Sequence, residues 1–391
     1  MLIRRTAEGA LRELAQGYPV VAVTGPRQSG KTTLVRMVFP EKSYVSLEDL
    51  DQRAFAQADP RGFLARYPEG AILDEAQRAP ELFSYLQTLV DADRRAGLFI
   101  LTGSQQFGLL AGITQSLAGR VALLPLLPFS LEELTSADVD PVSLDALLWT
   151  GLYPPIHDRK LVAAGAWYGN YVATYLERDV RSLVNVRDLG TFQRFLRMCA
   201  ARTGQLVNLS GLASDCGVTH NTARAWLSVL EASYLVSLLP PYHRNLGKRL
   251  VKTPKLYFLD TGLAAWLLSV QDPSHLGVHP SRGALFETWV VNELLKGRFN
   301  RGLRSNLFFW RDQGGHEVDV LVDQGNRLLA VEAKSGATVT KDSFAGVRFW
   351  KDLAGDEAGA SWVVYGGDEE QQRSEAHVLP WRGIASLARA V

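Results

Sequence analysis

The sequence predicts an α/β chain of several domains, opened by a parallel-sheet core built to hold a phosphate. Three observations carry this. An apolar, β-branched run, Val20 to Val23, leads into Gly25-Pro26-Arg27-Gln28-Ser29-Gly30-Lys31-Thr32-Thr33, which fits G-x-x-x-x-G-K-[ST] at every fixed place. A second apolar strand, from Ala71, ends on the paired acids Asp74 and Glu75. Beyond about residue 190 the pattern changes, first to two short helices in helix-turn-helix spacing, then to strands bearing Asp319 and Glu332-x-Lys334.

Composition sets the outer bounds. At 391 residues the chain exceeds one ordinary core, and at about 100–200 residues per domain it holds roughly two to four. Hydrophobic residues make up 47% and charged ones 21%, as in a soluble globular protein. The net charge of +1 excludes a whole-molecule basic field, so any nucleic-acid surface has to be local. Cys199 and Cys216 fit neither a disulfide framework nor a zinc spacing, which points to plain thiols in a reducing compartment. No apolar run approaches the ~20 residues that cross a bilayer, and Met1 to Glu8 lacks the apolar core of a signal peptide. The expectation is a cytoplasmic protein with no membrane partner.

In chain order, Arg4 to Gln16 reads as an amphipathic helix and Val20 to Thr24 as the strand feeding the loop. The amphipathic segment Thr32 to Phe39 leaves the loop as a helix, so the phosphate site lies where a strand ends and a helix begins. Glycines let successive backbone N–H groups curl around phosphate oxygens. Gly25 to Thr33 is therefore the expected ATP-binding loop, with Lys31 on the β/γ-phosphates and the Thr32 hydroxyl on magnesium. Strands follow at Lys42 to Leu47, Gly70 to Gln77, Leu98 to Gln105 and Val121 to Leu124. Asp74 is the expected magnesium carboxylate and Glu75 the base for the attacking water. Ser104, or Thr102, at the end of the next strand, is placed to sense the γ-phosphate, because in a parallel sheet that end lies beside it. A short helix from Gly108 to Ala118 then closes at Gly119-Arg120.

This order of motifs resembles the core of AAA-family ATPases over about residues 1–130. The resemblance implies that Arg120 acts as an arginine finger on a neighbour's nucleotide, and hence a homo-oligomer, a ring or partial ring. The competing reading is an ordinary arginine favoured at a helix end by the macrodipole.

Ser130 and Glu133 form a capping-box signature, and residues 131–190 read as a helical lid interrupted at Gly151 to Pro155. Residues 191–275 read as a winged helix-turn-helix domain. A helix from Leu209 ends at Gly217, a second is capped by Thr219, and a hairpin from Leu235 to Leu239 and Lys255 to Leu259 encloses Arg244, Lys248, Arg249 and Lys252. With His220, Asn221 and Arg224 at the start of the second helix, these basic residues are the candidate DNA contacts. Such domains also serve as protein-docking units, so a protein partner is the alternative.

In residues 276–391 a helix from Gly283 to Leu295 precedes strands at Leu307 to Arg311, His316 to Val322 and Arg327 to Ser335. Residues two apart on a strand share a face, so Glu332 and Lys334 point together toward Asp319 on the neighbouring strand. Two carboxylates and an ammonium make a site for Mg2+ or Mn2+ with a water-orienting group. The region looks like the restriction-endonuclease-like fold, which implies metal ligation by Asp319 and Glu332, water orientation by Lys334, and support from Glu287 through the metal's hydration shell. Over residues 1–340 the chain is similar to a family of prokaryotic AAA ATPases whose C-terminal domain has a poorly defined role. The matching runs include Leu117 to Arg120, Tyr175 to Val180 and Tyr257 to Gly262.

The expected activity is ATP hydrolysis coupled to DNA binding and metal-dependent cleavage, in DNA processing or defence. The alternatives are a nucleotide-switch signalling ATPase whose C-terminal domains only bind, and a small-molecule kinase, which lacks a recognisable acceptor pocket.

Overall fold

A computed structural model describes residues 2–103, 116–158, 163–174, 188–242 and 251–391. The chain divides into two compact units. One comprises Met1–Phe129 with Ala232–Tyr234 and Arg298–Arg304; the other comprises Ser130–Glu231, Leu235–Gly297 and Ser305–Val391.

The first unit is a parallel five-stranded sheet in the order β2-β3-β4-β1-β5. Its strands are β1 (Val20–Thr24), β2 (Ser43–Ser46), β3 (Ala71–Asp74), β4 (Phe99–Gly103) and β5 (Val121–Pro125). Every residue of β1, β3 and β4 is buried, as expected when helices cover both faces of a parallel sheet. Alternation along the strands divides the core in two. Val20, Ala22, Leu73 and Leu101 pack on one face with Phe63 and Phe83. Val21, Val23, Ile72 and Ile100 pack on the other with Leu11 and Leu34. Each Val, Leu, Ile or Phe among them contributes about 1.5–3 kcal/mol when fully buried.

Among the helices, α1 spans Glu8–Gly17, α2 Lys31–Val38, α3 Leu50–Ala58, α4 Pro60–Ala65 and α5 Leu82–Ala92. The first helix thus starts at Glu8 instead of Arg4. Arg5 stays outside it because its buried guanidinium donates to the Ser29 and Leu127 carbonyls, both at 2.7 Å. Strand β4 ends at Gly103; Ser104, Gln105 and the expected helix up to residue 115 lie outside the described residues.

The second unit holds a three-stranded antiparallel sheet in the order β6-β8-β7, with β6 at Gln205–Leu206, β7 at Val236–Leu239 and β8 at Lys255–Phe258. Two helices belong with it, Leu209–Cys216 and His220–Ala232. The first ends at Gly217 in the left-handed region (φ 68°), and Thr219 Oγ1 accepts from the Thr222 N–H at the start of the second. The Ser130–Glu133 capping box is formed. Pro154 opens the helix Pro154–Asp158, where its missing N–H costs nothing, so the break itself is confined to residues 151–153.

The C-terminal part is a mixed six-stranded sheet, β13-β14-β12-β11-β10-β9. Here β9 is Leu307–Arg311, β10 Glu317–Asp323, β11 Leu328–Lys334, β12 Ala358–Tyr365, β13 Gln371–Gln372 and β14 His377–Pro380. Trp310, Val318, Val363 and Val378 pack with Phe344, Val347 and Trp350. The helix Ala345–Ala354 passes so close to this sheet that a Cβ on Gly346 would stand 2.0 Å from Glu332 Oε1, which requires glycine there.

Candidate functional site

The phosphate loop is held open by its surroundings. Gly25 has φ 142°, and a Cβ on it would fall 2.1 Å from the Leu126 carbonyl oxygen, so glycine is the only residue that fits. Thr24 closes β1 by accepting the Leu126 N–H at its carbonyl (2.7 Å), and its buried hydroxyl lies 2.8 Å from the Tyr234 hydroxyl. Gln28 (φ 60°) and Gly30 (φ 91°) are both left-handed, the alternation by which a loop gathers its N–H groups into an anion-binding concavity. Ser29 Oγ is buried without a hydrogen-bond partner among the described residues.

Lys31, the first residue of α2, is buried and folds back on the loop, donating to the Gly25 carbonyl at 3.0 Å and the Pro26 carbonyl at 2.7 Å. Burial lowers its pKa to about 8, against the opposing pull of Glu75 and Asp74. Across the loop, Asp74 Oδ1 accepts from Thr32 Oγ1 at 2.9 Å and from Thr102 Oγ1, and Asp74 Oδ2 accepts from the Tyr44 hydroxyl at 2.7 Å. Glu75 follows at φ 55°, a strained setting for a non-glycine residue, and its Oε2 accepts from Gln77 Nε2. The register of β3 with β4, Leu73 against Leu101, sets Thr102 of β4 beside Asp74 at the end of β3. Thr32 and Asp74 offer only oxygen donors, the set that suits magnesium.

Arg120 sits in the turn before β5 and is held by Asp91 of α5, with Nη2 2.9 Å from Asp91 Oδ2. This partner, which sequence spacing could not supply, gives it a local structural role in addition to any role between copies.

The C-terminal acids converge differently from the expectation. Glu332 and Lys334 do share a face, with Lys334 Nζ 2.6 Å from Glu332 Oε2 and 3.9 Å from Asp319 Oδ2. However, the carboxylates that approach within 4.8 Å of one another are Glu287, Glu317 and Asp319, while Glu332 is engaged by Lys334. A group the sequence reading missed also enters: Lys255 of β8, only 2% exposed, donates to Glu287 Oε1 at 2.7 Å and pairs with Glu317 Oε1. Tyr257, two residues on and on the same strand face, donates to Glu287 Oε1 at 2.6 Å. Burial, then the neighbouring Asp319 charge, raises the Glu287 pKa, with Lys255 pulling it back. Alternation along Lys255-Leu256-Tyr257 was the one available signal, and nothing in it announces acids more than 30 residues away.

Of the candidate DNA contacts, His220, Arg224 and Lys252 line one groove of about 680 Å³, with Asn208, Ser228 and Glu231. Asn221 is exposed on the same helix but does not line this groove. Arg244, Lys248 and Arg249 lie outside the described residues, as does the run Tyr175 to Val180.

Known proteins bear on these centres. Residues 17–135 match the AAA domain family, 142–274 a domain of unknown function (DUF8612) and 282–384 a second (DUF4143). Rv2008c of Mycobacterium tuberculosis and Mb2031c of Mycobacterium bovis, both described as uncharacterized proteins, are 37% identical over 344 residues, 86% of this chain and 75% of theirs. The chain belongs to their family, as a P-loop AAA ATPase. The Walker-type ATPase PABY2304 of Pyrococcus abyssi shares 15% identity over 68% of this chain and 96% of its own, at a TM-score of 0.46. No helix among the described residues of this AAA ATPase is long and apolar enough to cross a membrane.

Proposed function

We propose that this AAA ATPase hydrolyses ATP at the loop Gly25–Thr33 and uses the cycle to act on nucleic acid through its second unit. Lys31 leaves the two loop carbonyls to meet the β/γ-phosphates, exchanging neutral partners for charged ones. Thr32, its proton on Asp74, keeps an oxygen lone pair for the metal. Thr32 and Asp74 would hold magnesium, which would offset the negative charge that develops on the phosphates. Glu75 orients the attacking water and accepts its proton. The observation that carries the ATPase reading is the Thr32–Asp74 contact beside a buried lysine ammonium.

Ser104, with Thr102, is the proposed γ-phosphate sensor. Arg120, once released by Asp91, reaches a neighbour's nucleotide in a homo-oligomer. Lys31→Ala in the purified chain should abolish turnover. Mixing it with Arg120→Ala should restore part of the activity if the finger works in trans; no recovery removes that role.

The groove holding His220, Arg224 and Lys252 supports nucleic-acid contact, with Asn221, Arg244, Lys248 and Arg249 as further phosphate partners. We assign the boundaries 1–130 (ATPase core), 131–190 (helical lid), 191–275 (winged helix) and 276–391 (endonuclease-like domain). In the last, Asp319 and Glu332, now with Glu317, are the proposed metal ligands, Lys334 the water-orienting group and Glu287 a supporting carboxylate. The free, buried thiols Cys199 and Cys216 suit the cytoplasm. A second reading, a nucleotide-switch ATPase whose C-terminal domain binds without cutting, is favoured by one observation: Lys255 already pairs with two of the acids, Glu287 and Glu317. Incubation with DNA and RNA in Mg2+ or Mn2+ separates the two. Cleavage that Asp319→Ala abolishes supports the nuclease, and no cleavage leaves the switch.

A further inference from the structure

Tyr44 has no part in the motifs that define a P-loop, yet it touches the carboxylate on which the metal chemistry depends. It stands on β2, paired with Ile72 of β3, two residues before Asp74 on the neighbouring strand. Its hydroxyl donates to Asp74 Oδ2 at 2.7 Å, while Oδ1 of the same carboxylate takes the Thr32 and Thr102 hydroxyls. Three hydroxyls from three separate elements thus fix one carboxylate. The ring is braced from the other side by Arg36, whose guanidinium carbon lies 4.7 Å from the ring centroid. Arg36 is four residues after Thr32 on α2, one helical turn along the same face. The phosphate-loop helix therefore grips the Asp74–Tyr44 pair at two points, by the Thr32 hydroxyl and by the Arg36 cation.

We infer that Tyr44, braced by Arg36, is a positioning residue of the nucleotide centre, holding Asp74 in the rotation that keeps Oδ1 on Thr32 and so sets the affinity for metal-bound nucleotide. The inference rests on the ATP reading above. Without the phenol, Oδ2 has lost its donor and the carboxylate is held at Oδ1 alone, which loosens its rotation about χ2 and its hold on the Thr32 hydroxyl. The role of Tyr44 is electrostatic and geometric, and no covalent step passes through it.

The test is binding of a fluorescent ATP analogue to the full chain, once with Mg2+ and once with EDTA, in wild type and in Tyr44→Phe. The ring and its Arg36 contact survive in that variant. The magnesium-dependent gain in affinity should fall about fivefold to tenfold, the scale of one hydrogen bond to a charged group at a partly exposed site. Affinity in EDTA should stay unchanged. Mn2+ titration followed by electron paramagnetic resonance, with ADP present, should show the same loss. Arg36→Met, which removes the brace and leaves the hydroxyl, should lose about twofold and serves as the second variant if Tyr44→Phe does not fold. An undiminished magnesium gain in Tyr44→Phe, or equal losses with and without metal, overturns the inference. If wild type binds no nucleotide, the ATP reading itself fails and carries this one with it.

Discussion

Two buried lysines, one in each unit, have opposite surroundings. Lys31 has its ammonium against two backbone carbonyls, and burial lowers its pKa to about 8. Lys255 is still less exposed, yet Glu287 and Glu317 flank it, and the attraction of these acids and Asp319 outweighs burial and raises its pKa. A buried ammonium without a contacting carboxylate is an incomplete ion pair, which an arriving triphosphate completes. One already enclosed by carboxylates has its counter-charge in place and gains nothing from a further anion. The first centre holds a cation without a carboxylate partner among the described residues, whereas in the second a metal has to compete with a lysine already paired to Glu287 and Glu317.

The strongest way to break this contrast is to empty the second centre. Lys255→Ala takes the ammonium from both acids, leaving, among the described residues, Glu287 only the Tyr257 hydroxyl and Glu317 only Arg311, and loss of one partner from a buried pair costs about 3–5 kcal/mol. Urea unfolding should register that loss, and a change within about 0.5 kcal/mol would show that the acids are not held by Lys255. At the first centre, Glu75→Gln should keep ATP binding while slowing hydrolysis by about 10²-fold or more, the worth of a general base; an unchanged single-turnover rate would reject Glu75.

A subtler effect follows from Lys31 itself. Its folded pKa of about 8 lies below the model-compound value of 10.5, so the charged form costs stability below pH 8 and that cost is relieved as pH climbs toward 10.5. Anion binding runs the other way. ATP affinity should fall by up to about tenfold per unit above pH 8, because a proton must then be taken up with the ligand, and Lys31→Ala should lose this slope. The smallest effect belongs to the groove. Lys252→Ala should weaken DNA binding severalfold and lower the slope of log affinity against log salt by about one; an unaltered slope would remove Lys252 from the phosphate contacts.

The residues that could be read from the sequence are those whose chemistry depends on near neighbours in the chain. The strand–loop–helix around Lys31, the acids closing β3, the capping box at Ser130 and the shared face of Glu332 and Lys334 are all set within a few residues by strand and helix periodicity. The residues that escaped reach their partners across the fold. Arg5 joins carbonyls 24 and 122 residues away, Tyr44 finds Asp74 30 residues on, and Lys255 meets Glu287 32 residues on. No local pattern encodes such pairings, because they are chosen by sheet order and by which strand ends come side by side.

The most direct test of the central claim is calorimetric titration of Mg·ATP into the full chain at pH 7, wild type against Lys31→Ala. If the Lys31 ammonium waits inside the loop for the phosphates, wild type binds one nucleotide and the variant binds at least about 100-fold more weakly, the worth of a charge-assisted pair lost from a buried site. Equal affinities in the two proteins would mean that the nucleotide does not use this lysine, and would contradict the account.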